Sequence, residues 1–369
     1  MPVRIGSKAA ARRGISLLAV ALVACACGGA APASRPLPEN ALRAPAPRLV
    51  GRIDASDPRG PTLTWSGSTI EARFEGSGIA MRLAVAPPPA SREGEPLVYS
   101  VRVDDAVPQI LSVTPGTNRY VLAEHLDASR PHRVAVTRES EAFGGEHRFL
   151  GFELVPGGEL LAFPADNPRR PRIEIVGDSI TCGYGVLGKG PECHFSFETE
   201  RASLAYGALA GQALGADVAT MCWSGRGVYR NYDEPDAPTM PMLWTPLPEP
   251  PDAVVVSLGT NDVLAKRAPF DEKELERAYE AFLVRIREAY AAPWIVVTVS
   301  PMLEGERRTT FAASLARVVA KRRSDGDARV EVLAFEEQGD RVGCDYHPDA
   351  AMQKVMARQL EEALRRRLR

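Results

Sequence analysis

From about Leu49 to Phe163 the apolar residues keep a period of two. Ile70, Ala72 and Phe74 alternate with polar neighbours, and Ile79, Met81, Leu83 and Val85 do so after Gly76-Ser77-Gly78. Tyr99, Val101 and Val103 follow, then Val134 and Val136, then Leu150, Phe152 and Leu154. Half-buried strands separated by turn residues predict an all-β sandwich of jelly-roll type. The period changes after Pro164-Ala165-Asp166-Asn167-Pro168-Arg169-Arg170-Pro171, a proline-rich, charged connector of the kind that separates domains.

Beyond the connector, short apolar runs alternate with helical periods. Strands are predicted at Arg172–Val176, Asp217–Met221, Ala253–Ser257, Trp294–Val299 and Arg329–Ala334, with helices at Ser203–Leu214, Asp271–Tyr290 and Thr309–Arg323 and a last one from Pro348. The strongest helix is Asp271–Tyr290. Leu275, Ala278, Tyr279, Phe282, Leu283, Ile286 and Ala289 share one face, and Asp271 with Glu274 resembles a capping box. Such alternation implies a parallel sheet covered by helices on both sides, an α/β/α sandwich.

The first 48 residues belong to neither pattern. Lys8, Arg12 and Arg13 precede an apolar run from Ile15 to Ala24 that is too short to span a bilayer and reads as an export signal. It ends in Leu22-Val23-Ala24-Cys25, which looks like a bacterial lipobox with Cys25 as the lipidated residue; Ala26 fits sorting to the outer membrane. The alternative is ordinary cleavage and release. The expected organisation is therefore a signal over 1–25, an Ala/Pro-rich tether over 26–48, a β-sandwich over 49–165 and an α/β domain over 166–369.

The 369 residues carry a formal net charge of -2, which gives no reason to expect nucleic acid as a partner. No metal-ligand spacing or phosphate loop is present, so no cofactor is expected. Of six cysteines, Cys182, Cys193, Cys222 and Cys344 lie beyond the leader in an exported, disulfide-permissive context. Their three possible pairings stay open, as does a role as buried thiols.

Candidate chemistry gathers where strands end. Ile173–Val176 stops at Gly177-Asp178-Ser179, which places Ser179 at the carboxyl end of a buried strand, where open α/β sheets hold their ligands. A serine there is a nucleophile if a base takes its proton, and otherwise an N-cap. His347 is the candidate base. Because Pro348 suits a first helical position, His347 is expected to cap the last helix, whose amino terminus would keep the imidazole neutral. Asp345 stands two residues before it.

These residues fall in four blocks: Gly177-Asp178-Ser179, Ser224-Gly225, Gly259-Thr260-Asn261-Asp262 and Cys344-Asp345-Tyr346-His347-Pro348. In this order they resemble the SGNH (GDSL) hydrolase superfamily, whose fold is a flavodoxin-like α/β/α sandwich. Gly177 to Gly185, Trp223 to Gly227, Arg230-Asn231-Tyr232-Asp233 and Gly343 to Pro348 look, more narrowly, like carbohydrate esterase family 2, which pairs a jelly-roll domain with an SGNH domain. The resemblance implies a serine esterase that removes acetyl groups from polysaccharides such as xylan or glucomannan. It makes Ser179 the nucleophile and His347 the base, and assigns the oxyanion hole to the Ser179 and Gly225 N–H groups and the Asn261 amide. Asp345 would complete a triad, or else point away and leave a dyad oriented by a main-chain carbonyl; the triad is the expectation, under which Asp345→Asn costs several orders of magnitude in rate.

Tyr184, Trp223, Tyr229 and Trp244 are candidate sugar-stacking side chains, with at least two expected in core or loop packing instead. The expected partner is an acetylated polysaccharide or oligosaccharide met by a monomer whose one membrane link is the lipid anchor. An esterase for another short acyl donor, and a carbohydrate-binding lipoprotein without catalysis, are the competing readings. A binding module has no need of the Ser, Gly, Asn and His blocks.

Overall fold

The computed structural model describes residues 45–164, 169–266 and 269–368. Cys25 and the tether up to residue 44 lie outside them. The described residues form one compact unit.

Two antiparallel sheets make up its first part. One runs in the order Arg48–Val50, Thr69–Glu75, Pro131–Arg138, Leu97–Val103, Gln109–Val113, with Glu159–Leu161 also paired to Thr69–Glu75. The other runs Ile53–Asp54, Thr62–Leu63, His147–Leu154, Ile79–Val85, Gly116–Ala123. Ile70, Phe74, Met81, Leu83, Tyr99, Val134 and Val136 meet between them in one core, so the period-two residues do what their alternation demands. The architecture is jelly-roll-like. Strand His147–Leu154 departs from simple alternation. Its pairing with Ile79–Val85 shifts between Phe149 and Gly151, and Phe149 rather than Leu150 enters the core. A bulge adds one residue to one strand, which exchanges the faces of the residues on either side of it.

The second part is a parallel sheet in the order Asp217–Cys222, Arg172–Gly177, Ala253–Ser257, Trp294–Val299, Val330–Ala334. Both faces are apolar because both are covered. Val176, Val254, Val256, Ile295 and Val297 pack under helices Glu272–Ala289 and Gly305–Ser324, through Leu275, Phe282, Ile286, Phe311 and Leu315. Ile173, Ile175, Val255 and Val296 pack under Tyr206–Leu214 and Ala350–Arg365, through Tyr206, Met352, Met356 and Leu360. The predicted strands are all present; the last begins one residue later, at Val330. Asp271 caps the best-predicted helix by accepting from the N–H groups of Lys273 and Glu274.

The last helix begins later than expected. Its N-cap is Asp349, whose side chain accepts from the Met352 N–H, and Ala350 is its first residue. His347 therefore precedes the cap by two residues and does not cap the helix itself.

Candidate active site

The nucleophile strand and the two strands beside it end side by side. Ser179 follows Arg172–Gly177, Gly225 follows Asp217–Cys222 on one flank, and Asn261 follows Ala253–Ser257 on the other. Gly177 is required by closeness. A Cβ there would fall 2.0 Å from Thr181 Oγ1. Asp178 caps the short helix Ser179–Cys182 by accepting from the Ile180 N–H, which fixes the turn that presents the serine.

Ser179 Oγ and His347 Nε2 lie 2.8 Å apart. On the far side of the ring, Nδ1 is 3.1 Å from the Asp345 carbonyl oxygen and 3.3 Å from that of Cys344. With Nδ1–H donating to main chain, Nε2 is left as the acceptor that a serine hydroxyl needs. Burial holds the His347 imidazole well below the usual histidine range, at about 4, against the raising effect of those two carbonyls. The neutral state comes from the loss of water around the ring and not from a helix terminus.

The Asp345 side chain turns away from the imidazole. Its carboxylate accepts from the Tyr184 hydroxyl at 2.7 Å, from the Phe195 N–H at 3.0 Å and from His194 Nδ1 at 2.8 Å. The expected triad is thus replaced by a Ser–His pair oriented by carbonyls. The physical reason is the backbone: Asp345 and Tyr346 both take left-handed conformations, with φ of 50° and 62°. This reverses the loop so that the carbonyl, not the carboxylate, faces the ring. His194, which nothing in the sequence distinguished, is 88% exposed at its side chain and covers the outer edge of Asp345.

Two disulfides stitch these loops together. Cys182–Cys222 joins the turn after Ser179 to the end of the strand before Gly225, and Cys193–Cys344 ties the His347 loop to the segment that carries His194. The Trp223 N–H also donates to the Gly177 carbonyl at 3.3 Å. Gly225 has φ of 79°, a left-handed conformation that glycine adopts without strain. Asn261 is almost fully buried, and its amide donates one hydrogen to the Arg226 carbonyl at 2.8 Å, leaving the second for a ligand. Asp262 is an acceptor within the loops, taking the N–H groups of Val228, Tyr229 and Arg230.

The candidate sugar-stacking residues separate. Tyr184 lies on the site, its ring stacked on His347. Trp223 packs edge-on against Trp65 with the Arg226 guanidinium over its ring. Tyr229 is partly buried and its hydroxyl accepts from the Asp271 N–H. Trp244 is 3% exposed, lies against Phe282 and Tyr290 and donates to Glu174, so it belongs to the core and not to a substrate surface. An aromatic that the sequence reading passed over directly precedes His347 in the chain: Tyr346 is 62% exposed. Its position next to His347 was the available signal.

Among the described residues, Glu141, Cys182 and Glu200 form the one cluster with metal-ligand proximity, and Cys182 is in a disulfide, which removes it as a ligand. No described helix is long and apolar enough to cross a membrane.

Comparison with known proteins agrees with the fold. The carbohydrate esterase 2 N-terminal model matches residues 49–164, and the GDSL-like lipase/acylhydrolase family model matches 175–355. The chain is 31% identical over 331 residues to the cellulase/esterase CelE of Acetivibrio thermocellus, covering 86% of this chain but 39% of CelE. It is 28% identical over 350 residues to an acetylxylan esterase / glucomannan deacetylase of Cellvibrio japonicus, covering 89% of this chain and 91% of that protein. Among solved structures, a family two carbohydrate esterase from Clostridium thermocellum in complex with cellohexaose superimposes with a TM-score of 0.79 at 30% identity, over 88% of this chain and 99% of that one.

Proposed function

We propose, from the premise that this chain belongs to carbohydrate esterase family 2, that it is a serine esterase removing O-acetyl groups from polysaccharides such as xylan or glucomannan. One observation carries the reading: Ser179 Oγ sits 2.8 Å from His347 Nε2, while main-chain carbonyls hold the opposite nitrogen. The names of the related Acetivibrio and Cellvibrio esterases support the ester class and the substrate class.

In the first half-reaction, Ser179 Oγ attacks the acetyl carbonyl as His347 Nε2 takes its proton. The oxyanion is received by the N–H groups of Ser179 and Gly225 and by the free hydrogen of the Asn261 amide. Donors set in place before the charge develops need no reorganisation, which is where most of the stabilisation arises. The imidazolium then gives its proton to the departing sugar oxygen, leaving an acetyl-serine. Water, deprotonated by His347, releases acetate and restores the hydroxyl. The carbonyls of Asp345 and Cys344 keep the ring in the tautomer that each transfer requires. Tyr346, exposed beside His347, offers an aromatic face to the sugar bearing the ester.

The chain is exported, and lipid on Cys25 tethers it to the outer membrane as a monomer. A screen of acetylated xylan, acetylated glucomannan and nitrophenyl esters of increasing acyl length tests the substrate reading. Acetate release from a polysaccharide, with acetyl preferred over longer acyl groups, is the expected result; preference for longer chains would turn the reading to a different acyl donor.

A further inference from the structure

A cluster of buried titratable side chains that the mechanism does not use comes from the antiparallel half of the molecule. Glu139, Ser140 and Glu141 follow strand Pro131–Arg138 and are all 0% exposed. Glu141 reaches across to the parallel-sheet half. Its Oε2 accepts from the Ser224 N–H at 2.7 Å and its Oε1 from the Ser224 hydroxyl at 2.6 Å. Both oxygens therefore grip the residue immediately before Gly225.

The carboxylate is itself held rigidly. Arg138, fully buried, donates to the carbonyls of Leu63 at 2.6 Å, Ser140 at 3.0 Å, Glu141 at 2.9 Å and Gly145 at 2.7 Å, so one guanidinium fixes the loop from which Glu141 projects. Behind Glu141 lies Glu200, also 0% exposed, whose Oε2 accepts the Glu141 N–H at 3.0 Å. Glu200 Oε1 finds no donor among the described residues, yet the two side chains bring ligand-type oxygens within 4.8 Å of each other. Two buried carboxylates this close resist ionising together. Burial and the neighbouring Glu141 charge raise Glu200 well above the carboxylate range. Burial pushes Glu141 up to about 7, opposed by its two bonds from Ser224.

We infer that Glu141 is a positioning residue of the oxyanion hole: its carboxylate, on a loop fixed by Arg138 and Glu200, clamps Ser224 and so aims the Gly225 N–H at the reacting carbonyl. The inference rests on the esterase reading above. It gives the sandwich a part in the chemistry, because the strand-end turn bearing Gly225 has its side-chain brace in the other half of the fold. The Trp223 and Arg226 N–H groups and the Gly225 carbonyl are engaged by main chain within the parallel-sheet half, but the Ser224 N–H is engaged by Glu141.

The clamp acts on a donor used in the transition state, so its loss is expected in kcat and not in KM. A misplaced reacting group costs up to about 100-fold, and Glu141→Ala is expected to lower kcat on a small acetyl ester by about that factor with KM held within about twofold. Glu141→Gln should recover most of the lost kcat, since its carbonyl oxygen still accepts from the Ser224 N–H and its amide can donate to the Ser224 hydroxyl oxygen. Glu141→Asp keeps the charge but withdraws it by one methylene, and should behave like Glu141→Ala; it also serves where the alanine variant fails to fold. The assay is steady-state kinetics on the full chain, with circular dichroism and Tm to establish folding and Ser179→Ala as the blank. Folded Glu141→Ala or Glu141→Asp with parental kcat would overturn the clamp, as would a loss confined to KM or a Gln variant no better than Ala, while parental turnover abolished in Ser179→Ala keeps the esterase reading intact. A parent without turnover would instead overturn the reading of the site, and the clamp with it.

Discussion

The Tyr184 ring is stacked on the His347 imidazole, with centroids 4.0 Å apart and planes inclined by 28°. Its hydroxyl donates to the Asp345 carboxylate. The carbonyl of the same Asp345 accepts from His347 Nδ1. The three residues form a closed loop in which the aromatic face limits the tilt of the imidazole and the carboxylate anchors the residue whose main chain orients it. The acidic group thus acts on the base through its own backbone and not through charge at the ring.

That geometry predicts a modest role for the Asp345 side chain. Asp345→Asn keeps the main-chain acceptor and one side-chain oxygen for Tyr184 or Phe195. Its kcat should fall by less than about tenfold, or 1.36 kcal/mol on the barrier. Steady-state kinetics checks this. A fall of several orders of magnitude would restore the carboxylate to a triad.

A second expectation concerns pH. Catalysis requires neutral His347, and burial has lowered its pKa to about 4. Protonation is therefore postponed: between the ordinary histidine value of about 6.5 and the folded value the imidazole remains a base. kcat/KM should stay level as pH falls through 6 and decline towards pH 4. A midpoint near 6.5 in a pH–rate profile would show that water reaches the ring in the free enzyme.

Asn261 tests the oxyanion hole. Asn261→Ala removes the amide whose other hydrogen is engaged by the Arg226 carbonyl. Loss of one such donor costs on the order of 100-fold or more in kcat. A change in KM alone would make Asn261 a substrate contact.

Cys25 tests the tether. If lipid on Cys25 holds the chain at the membrane, Cys25→Ser should move it from the membrane fraction to the soluble fraction, read by fractionation and immunoblot. Unchanged association with the membrane would call for another attachment.

What could be read from the sequence, and what could not, follows from the range of the interactions involved. The strand before Ser179 was legible because Ile173, Ile175 and Val176 make a local β-branched stretch closed by Gly177, and the helix at 272–289 because its apolar face repeats over eighteen residues. Ser179 and His347 were found as partners through their blocks, and the fold brings their atoms to hydrogen-bonding distance. Asp345 was misread because its side-chain direction depends on two consecutive left-handed residues, neither of them glycine, so no local signal marked the reversal. Trp244 could not be assigned between sugar and core because an aromatic residue in a proline-rich stretch reads the same whether it faces a ligand or caps a core. Glu141 was invisible for a different reason. It lies in the other half of the chain from Ser224, and only the docking of the sandwich against the parallel sheet joins them.

The most direct test of the account is acetate release from acetylated polysaccharide by the parent chain and by Ser179→Ala, with folding of both verified by circular dichroism. Ser179 Oγ has no other role in the described hydrogen bonds than its contact with His347 Nε2, so the substitution should leave the fold unchanged. The account predicts steady release of acetate by the parent and none above background by the folded variant. Acetate release by folded Ser179→Ala at a rate near the parent's would contradict it.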